Sequence, residues 1–155
     1  MASKTTDAGS EPSGARGWVP CNDHPTDKAT WTIAVEVDEP WVAAANGLLL
    51  ERTTKDGRTR ARFEMNDPMA SYLATVCVGR FDVETIAGPN GLPITHYFYQ
   101  AETDEKREKL RRGFARTADQ LAYFTELFGP YPFDCFGGVL IKDGLGGALE
   151  TQTLV

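Results

Sequence analysis

Histidine is almost missing from this chain. Its two copies, His24 and His96, lie far apart and neither has a metal-ligand partner at helical i, i+4 spacing, so no zinc site can be assembled from them. Each reads as a turn or packing residue. The three cysteines, Cys21, Cys77 and Cys135, are too few and too scattered for a disulfide framework, and none belongs to a C-x-x-C pair. They read as buried or half-buried thiols. No apolar run approaches the ~20 residues of a membrane span, and a formal charge of −6 leaves no basic face to track phosphates. Membrane and nucleic acid are poor partners on both counts. A Gly-x-Ser-x-Gly elbow and a phosphate-cradling glycine loop are also missing, so neither a nucleophile elbow nor a nucleotide site is signalled. Residues 1–10 lack the apolar core of a secretory signal, which makes a cytoplasmic location the expectation.

What is present is the makeup of a globular protein, with 41% hydrophobic and 25% charged residues over 155 positions. That is room for one compact domain or for pieces of two. Residues 1–15, rich in Ser, Thr, Ala and Gly, read as a flexible lead-in. From Trp31 the chain alternates, with Trp31, Ile33, Val35 and Val37 on one face and Thr32, Ala34 and Glu36 on the other. This is the period of a half-buried strand. Asp56-Gly57 joins two further strands, Leu48 to Thr54 and Thr59 to Met65, because both turn positions tolerate positive φ. Asn66-Asp67-Pro68 is expected to close that hairpin. Tyr72 to Val78 reads as a strand buried on both faces, with Cys77 as a small hydrophobe, and a turn at Pro89-Asn90-Gly91 leads into an extended Ile94 to Gln100.

Beyond Thr103 the period changes. Asp104 and Glu105 suit a first helical turn, and Leu110, Phe114, Ala118, Leu121 and Phe128 recur at helical spacing. The pattern predicts one helix of about 25 residues, ended by Gly129-Pro130. Phe136 to Lys142 reads as a strand, Gly144 to Gly147 as a glycine-rich loop, and Glu150 to Val155 as the start of another strand. The fold class is therefore α+β, with mostly antiparallel strands followed by a long helix and two more strands. A seam near Ala101 divides it, so that residues 16–101 and 102–155 form parts of two domains.

Several short strings carry further information through their order. They are Pro20-Cys21-Asn22-Asp23-His24-Pro25 with Lys28-Ala29-Thr30-Trp31, Asn46-Gly47, and Met69-Ala70-Ser71-Tyr72-Leu73 with Val78-Gly79-Arg80-Phe81. Leu127-Phe128-Gly129-Pro130-Tyr131-Pro132-Phe133 and Gly146-Gly147-Ala148-Leu149-Glu150-Thr151 complete the series. Together they resemble the aminopeptidase N family of zinc metallopeptidases, the gluzincins, whose exopeptidase signature is Gly-Ala-Met-Glu-Asn. Leu149 stands where the signature has Met, and Thr151 where it has Asn. The resemblance implies part of an N-terminal β-rich saddle domain, followed by the first strands of a thermolysin-like catalytic domain.

In that family the signature glutamate, matched here by Glu150, binds the free α-amino group of the substrate and restricts cleavage to the N-terminal residue. The chemistry is coherent, because an ammonium brought against protein needs a carboxylate to offset its lost hydration. Gly147, Ala148 and Leu149 match the adjoining segment, whose backbone can pair with an extended substrate. Glu11, in the stretch leading to Pro20, matches a second acceptor for the same amine. The resemblance also implies zinc as the cofactor of the intact enzyme, held by a His-Glu-x-x-His helix and a third ligand beyond Val155. Zinc-activated water would then attack the first peptide bond, while this chain supplies the amine clamp and no catalytic or metal-binding residue. Its partners would be a peptide N-terminus and the remainder of the catalytic domain. The expectation is an internal fragment, inactive alone. A rival reading is a non-catalytic β-rich interaction module or pseudo-enzyme stub, which would expose a wide apolar face where the helix end and the last strand lack neighbours.

Overall fold

The computed structural model of the chain describes residues 6–8, 10, 13–101, 103–142 and 148–155. In chain order its strands are β1 (Thr6–Ala8), β2 (Ala29–Asp38), β3 (Val42–Ala45), β4 (Leu48–Lys55), β5 (Arg58–Met69), β6 (Val76–Gly79), β7 (Phe81–Ala87), β8 (Pro93–Tyr99) and β9 (Phe136–Leu140). Two helices, α1 (Asp104–Phe114) and α2 (Thr117–Phe128), lie between β8 and β9. The described strands form three sheets, ordered β1-β6-β3, β2-β5-β4 and β7-β8-β9. Every pairing is antiparallel except β9, which runs parallel to β8. This is the α+β, mostly antiparallel arrangement expected, with β9 pairing back onto β8 across the seam drawn at Ala101.

The β2-β5-β4 sheet follows the alternation of its sequence. Ile33 sits opposite Phe63 and Val35 opposite Ala61, facing inward, while Thr32, Ala34 and Glu36 face solvent. On the outer face Arg58 bridges Glu36 at 2.8 Å and Asp38 at 3.3 Å. Both pairs are exposed, so each contributes about 1 kcal/mol at most. The hairpin turn falls at Asp56-Gly57, with φ of 51° and 77°. Asn66-Asp67-Pro68 does not close the hairpin, because β5 continues to Met69. Met65 and Met69 are both buried in a small cluster with Ala74, and that burial carries the strand onward.

Adjacent alanines of β3 point to opposite sides of the middle sheet. Ala44 packs with Cys77, Phe81, Tyr97 and Leu154, and Ala45 with Ile33, Ala61 and Phe63. The β1-β6-β3 sheet is thus covered on both faces. Three small residues in a row let the layers approach, and they also hide β3 from a sequence reading, since alanine carries little strand preference. The strand expected over Tyr72 to Val78 is shorter than predicted. Ser71–Leu73 forms a single 3-10 turn and only Val76–Gly79 pairs as a strand, because the peptide between Ala74 and Thr75 is bonded by side chains rather than by a ladder. In the stretch read as a lead-in, β1 pairs with β6 and Ser10 is fully buried, its Oγ donating to Ala74 O at 2.8 Å.

β8 places Tyr97 toward the middle sheet and His96 and Phe98 toward α1, where both rings meet Phe114 at 5.1 and 5.8 Å. The predicted helical stretch runs as two segments. Thr103 caps α1 by accepting from Lys106 N–H, Asp104 and Glu105 occupy its first turn and Arg111 and Arg112 its last, as the helix dipole favours. The chain then breaks at Ala115-Arg116, and Thr117 Oγ1 donates to the carbonyl of Phe114 at 2.8 Å. The break resets the helical phase. Leu121 remains buried, but Phe128, expected on the apolar face, is 81% exposed.

The Asn46-Gly47 pair is the corner at which the chain leaves the middle sheet for β4. Gly47 has φ +92°, and a Cβ there would stand 2.3 Å from the carbonyl oxygen of Glu64. Gly47→Ala is expected to destabilise the fold by more than ~1 kcal/mol, read as a lower urea midpoint with an unchanged slope.

Candidate substrate-binding segment

Residues 151–155 are held from two sides. On the β-rich side, Asn46 Nδ2 donates to the carbonyl of Gln152 at 2.7 Å and to Thr151 Oγ1 at 3.3 Å, and Gly47 N–H donates to Thr153 Oγ1 at 2.8 Å. Thr151 Oγ1 in turn donates to the carbonyl of Leu154. On the other side, Val155 N–H bonds the carbonyl of Gly137 at 3.0 Å and Val139 N–H bonds the carbonyl of Val155 at 2.7 Å. Only Val155 pairs with β9, so the strand expected from Glu150 onward is replaced by a bent segment in which Thr153 has φ 68°. The bonds from the Asn46 side chain and the Gly47 N–H impose that bend. Leu154 fills the space between the middle and the β7-β8-β9 sheets.

Glu150 leads into this anchored stretch and is itself exposed, as is Ala148; Leu149 is half-buried, and its carbonyl accepts from Thr151 N–H at 2.9 Å. Glu11 and Gly147, the other residues singled out from the sequence, lie outside the described residues. A cleft of about 180 Å³ reaches the rear of the segment at Thr153 and Leu154, with Cys135, Tyr97 and Gly47 also on its wall, and Glu150 is not among its lining residues. Burial pushes the Cys135 thiol up to about 11, against a hydrogen bond with Thr153 that lowers it, so at neutral pH it is an unreactive thiol. The residues that the sequence reading missed are Thr151 and Asn46. Thr151 had stood out only as a departure from the signature, and Asn46 only as one member of a turn.

No zinc fits the described residues. His24 is exposed and its Nδ1 faces Thr26 Oγ1 at 2.8 Å, whereas His96 is buried among Phe98 and Phe114. Among the described residues no group of three or more His, Cys, Asp and Glu side chains stands close enough to hold a metal. The Asp23 carboxylate has a structural task. Burial would raise its pKa, but hydrogen bonds from Arg16 and Ser71 outweigh that and hold it below the ordinary carboxylate range. It ties the 3-10 turn at Ser71 to the stretch after residue 13.

Residues 5–73 match the model of the Peptidase M1 N-terminal domain. Over 146 residues, 94% of the chain, the sequence is 32% identical to Aminopeptidase M1 of Arabidopsis thaliana and spans 16% of that protein's length. Two solved structures share the fold. A two-domain M1 zinc metallopeptidase mutant bound to L-arginine superposes with a TM-score of 0.79 at 30% identity, over 97% of this chain and 34% of that one. An M1 zinc metallopeptidase mutant from Deinococcus radiodurans, bound to a Tyr-Ser-Ala substrate, does so with a TM-score of 0.77 at 31% identity, over 97% of this chain and 34% of that one. The chain belongs to the aminopeptidase N, or M1, family of zinc metallopeptidases, and spans well under half the length of these relatives.

His96 Nε2 is buried without a hydrogen-bond partner among the described residues, and burial lowers the His96 pKa from its ordinary 6.5, with Glu84 opposing. A base whose folded pKa is lowered contributes stability that is present above its unfolded value and lost as the pH falls below it. Urea midpoints should therefore drop as the pH is taken from 7 to below 6.5, and His96→Leu should flatten that part of the profile.

Proposed function

We propose that the chain is the amine-recognition part of a zinc-dependent aminopeptidase acting on peptides with an unblocked N-terminus. The observation that carries this reading is the anchoring of the signature segment, whose residues after Glu150 are fixed by Asn46, Gly47 and β9. Glu150 takes the substrate ammonium. Ala148 and Leu149, with Gly147, lie alongside the first substrate residues, and Glu11 supplies the second acceptor. Zinc belongs to the whole enzyme, with ligands other than the residues described here, and the division at residues 16–101 and 102–155 is part of the same proposal.

The exposure of Glu150 sets the strength to expect. An exposed carboxylate and an ammonium attract by about 0.2–1 kcal/mol, so further surface must close around the amine before selectivity becomes high. The 155-residue chain should bind L-alaninamide weakly and N-acetyl-alaninamide not at all. Glu150→Gln should weaken the former about two- to fivefold at low salt, as measured by NMR titration. The same chain should neither bind stoichiometric zinc nor hydrolyse an aminoacyl anilide; either result would overturn the assignment of the metal to other residues.

The alternative of an interaction module is favoured by one observation. Tyr123, Phe124, Leu127 and Phe128 of α2 are exposed by 58, 52, 56 and 81%, forming an apolar stripe at the helix end. A working module would run as a monodisperse species or a defined complex in size-exclusion chromatography. Concentration-dependent aggregation relieved by Phe124→Ser with Phe128→Ser would instead mark the stripe as a surface awaiting the rest of the catalytic domain.

A further inference from the structure

Among the described residues, the β7-β8-β9 sheet is flanked on one side by Val155, which bonds β9, and ends on the other at β7. Bonds from Gln100 N–H to the carbonyl of Arg80 at 2.9 Å and from Gly88 N–H to the carbonyl of Leu92 at 2.7 Å fix the phase of the β7-β8 ladder. Asp82, Glu84 and Ile86 therefore exchange their backbone bonds with β8, and the N–H and carbonyl groups of Val83 and Thr85 point away from it. No backbone group among the described residues bonds them. An open cleft of about 650 Å³ borders this edge, with Phe81 to Glu84 on one wall and Asp104, Arg107, Glu108 and Arg111 of α1 on the other.

An unpaired strand edge is a template for another strand, and the two faces of β7 state what that strand must carry. Phe81 and Val83 pack into the core toward the middle sheet. Asp82 and Glu84 turn to the α1 side, where Arg111 pairs with both. With Asp104 and Glu108 the cleft holds four carboxylates against two guanidinium groups, so its excess charge is negative. A second copy of β7 laid antiparallel along the edge would bring Asp82 and Glu84 against the same acids, and like charges directly opposite repel. A strand with lysine or arginine at alternate positions and apolar residues between them complements both faces. We propose that the outer edge of β7 is a docking site for an extended basic segment of another protein, which adds to the sheet with its cations over Asp82 and Glu84 and its apolar side chains in line with Val83. Arg111 divides itself between the two carboxylates and leaves one negative charge there for the incoming cations, to which Glu108 adds another. This site does not depend on the role given to Glu150.

The probe is the blocked peptide acetyl-Thr-Val-Lys-Val-Lys-Val-Thr-amide, which has no free α-amine, titrated into the isotope-labelled 155-residue chain. The amides of Val83 and Thr85 should shift with a single dissociation constant and exchange with solvent more slowly, while those of Ile33 and Phe63 stay in place. Replacing both lysines by glutamate should weaken binding about tenfold at low salt, because attractive cross-strand pairs become repulsive, and the difference should shrink at high salt. Asp82→Asn combined with Glu84→Gln should remove most of that preference. Val83→Pro deletes an edge donor without breaking the ladder to β8, and it should abolish the response at Thr85. If that variant does not fold, the slowed exchange of the wild-type Val83 and Thr85 amides tests the same backbone pairing. Equal affinity for the lysine and glutamate peptides, a preference unchanged in the double variant, or titrations that leave Val83 and Thr85 unmoved would overturn the proposal. So would a concentration-dependent dimer in size-exclusion chromatography whose Val83 and Thr85 amides are protected without peptide, since the edge would then belong to a second copy.

Discussion

The burial of one carboxamide governs much of this structure. A polar group shut away from water costs about 1–3 kcal/mol for each bond it fails to make, and Asn46, with no exposed surface, has three to place. They are satisfied only when the corner after β3, the peptide at Ala74 and Thr75, and the stretch from Thr151 to Gln152 are all in register. Hydrophobic contact alone would tolerate small slips between these segments, since it has no direction. The carboxamide does not tolerate them. Stretches far apart in the chain are thereby given a single mutual arrangement.

Small side chains make that arrangement sterically possible. Ala43, Ala44 and Ala45 are all buried, and they let a middle sheet pass between two others without the bulk that interior strands usually carry. The same economy recurs in β9, where a Cβ on Gly137 would stand 2.7 Å from the carbonyl of Thr95. Close backbone approach of this kind gives up side-chain contact area for precision. The area is recovered by Phe63, Phe81 and Tyr97 from neighbouring strands and by Leu154 from the bent last segment, which reach into the two interlayer cores.

Where local pattern and burial coincide, the sequence was a sufficient guide. The alternation from Trp31 to Val37, the Asp56-Gly57 turn and the helix start after Thr103 all appear as read, because each depends on neighbours within a few positions. The misreadings share a different origin. β3 is built of alanines, β5 runs past Asp67-Pro68 to bury Met69, and the stretch from Ser71 to Ala74 gives its peptide bonds to Ser10 and Asn46 rather than to a strand. Each was decided by a partner distant in sequence. The helix break at Ala115-Arg116 is equally tertiary, since Phe114 must meet His96 and Phe98 while Leu121 turns inward separately. For the site, ordered motifs pointed to Glu150, but nothing in the string marks Asn46 as more than a turn residue. Its importance comes from a hydrogen-bond geometry that only the folded chain possesses.

Leu154 stands four residues beyond Glu150, buried to 3% between the middle sheet and the β7-β8-β9 sheet. A group that closes the junction between two layers, and lies on the same short run as the carboxylate proposed to meet the substrate, couples two equilibria. Any opening of the interlayer seam that withdraws Leu154 also releases the grip on Thr151 and Gln152. By mass action, a ligand that favours the closed arrangement raises the free energy of that opening by the amount of its preference. On the role proposed for Glu150, occupancy at the surface and cohesion in the interior are linked equilibria, and an amine-bearing ligand would make the opening of a core it never touches rarer.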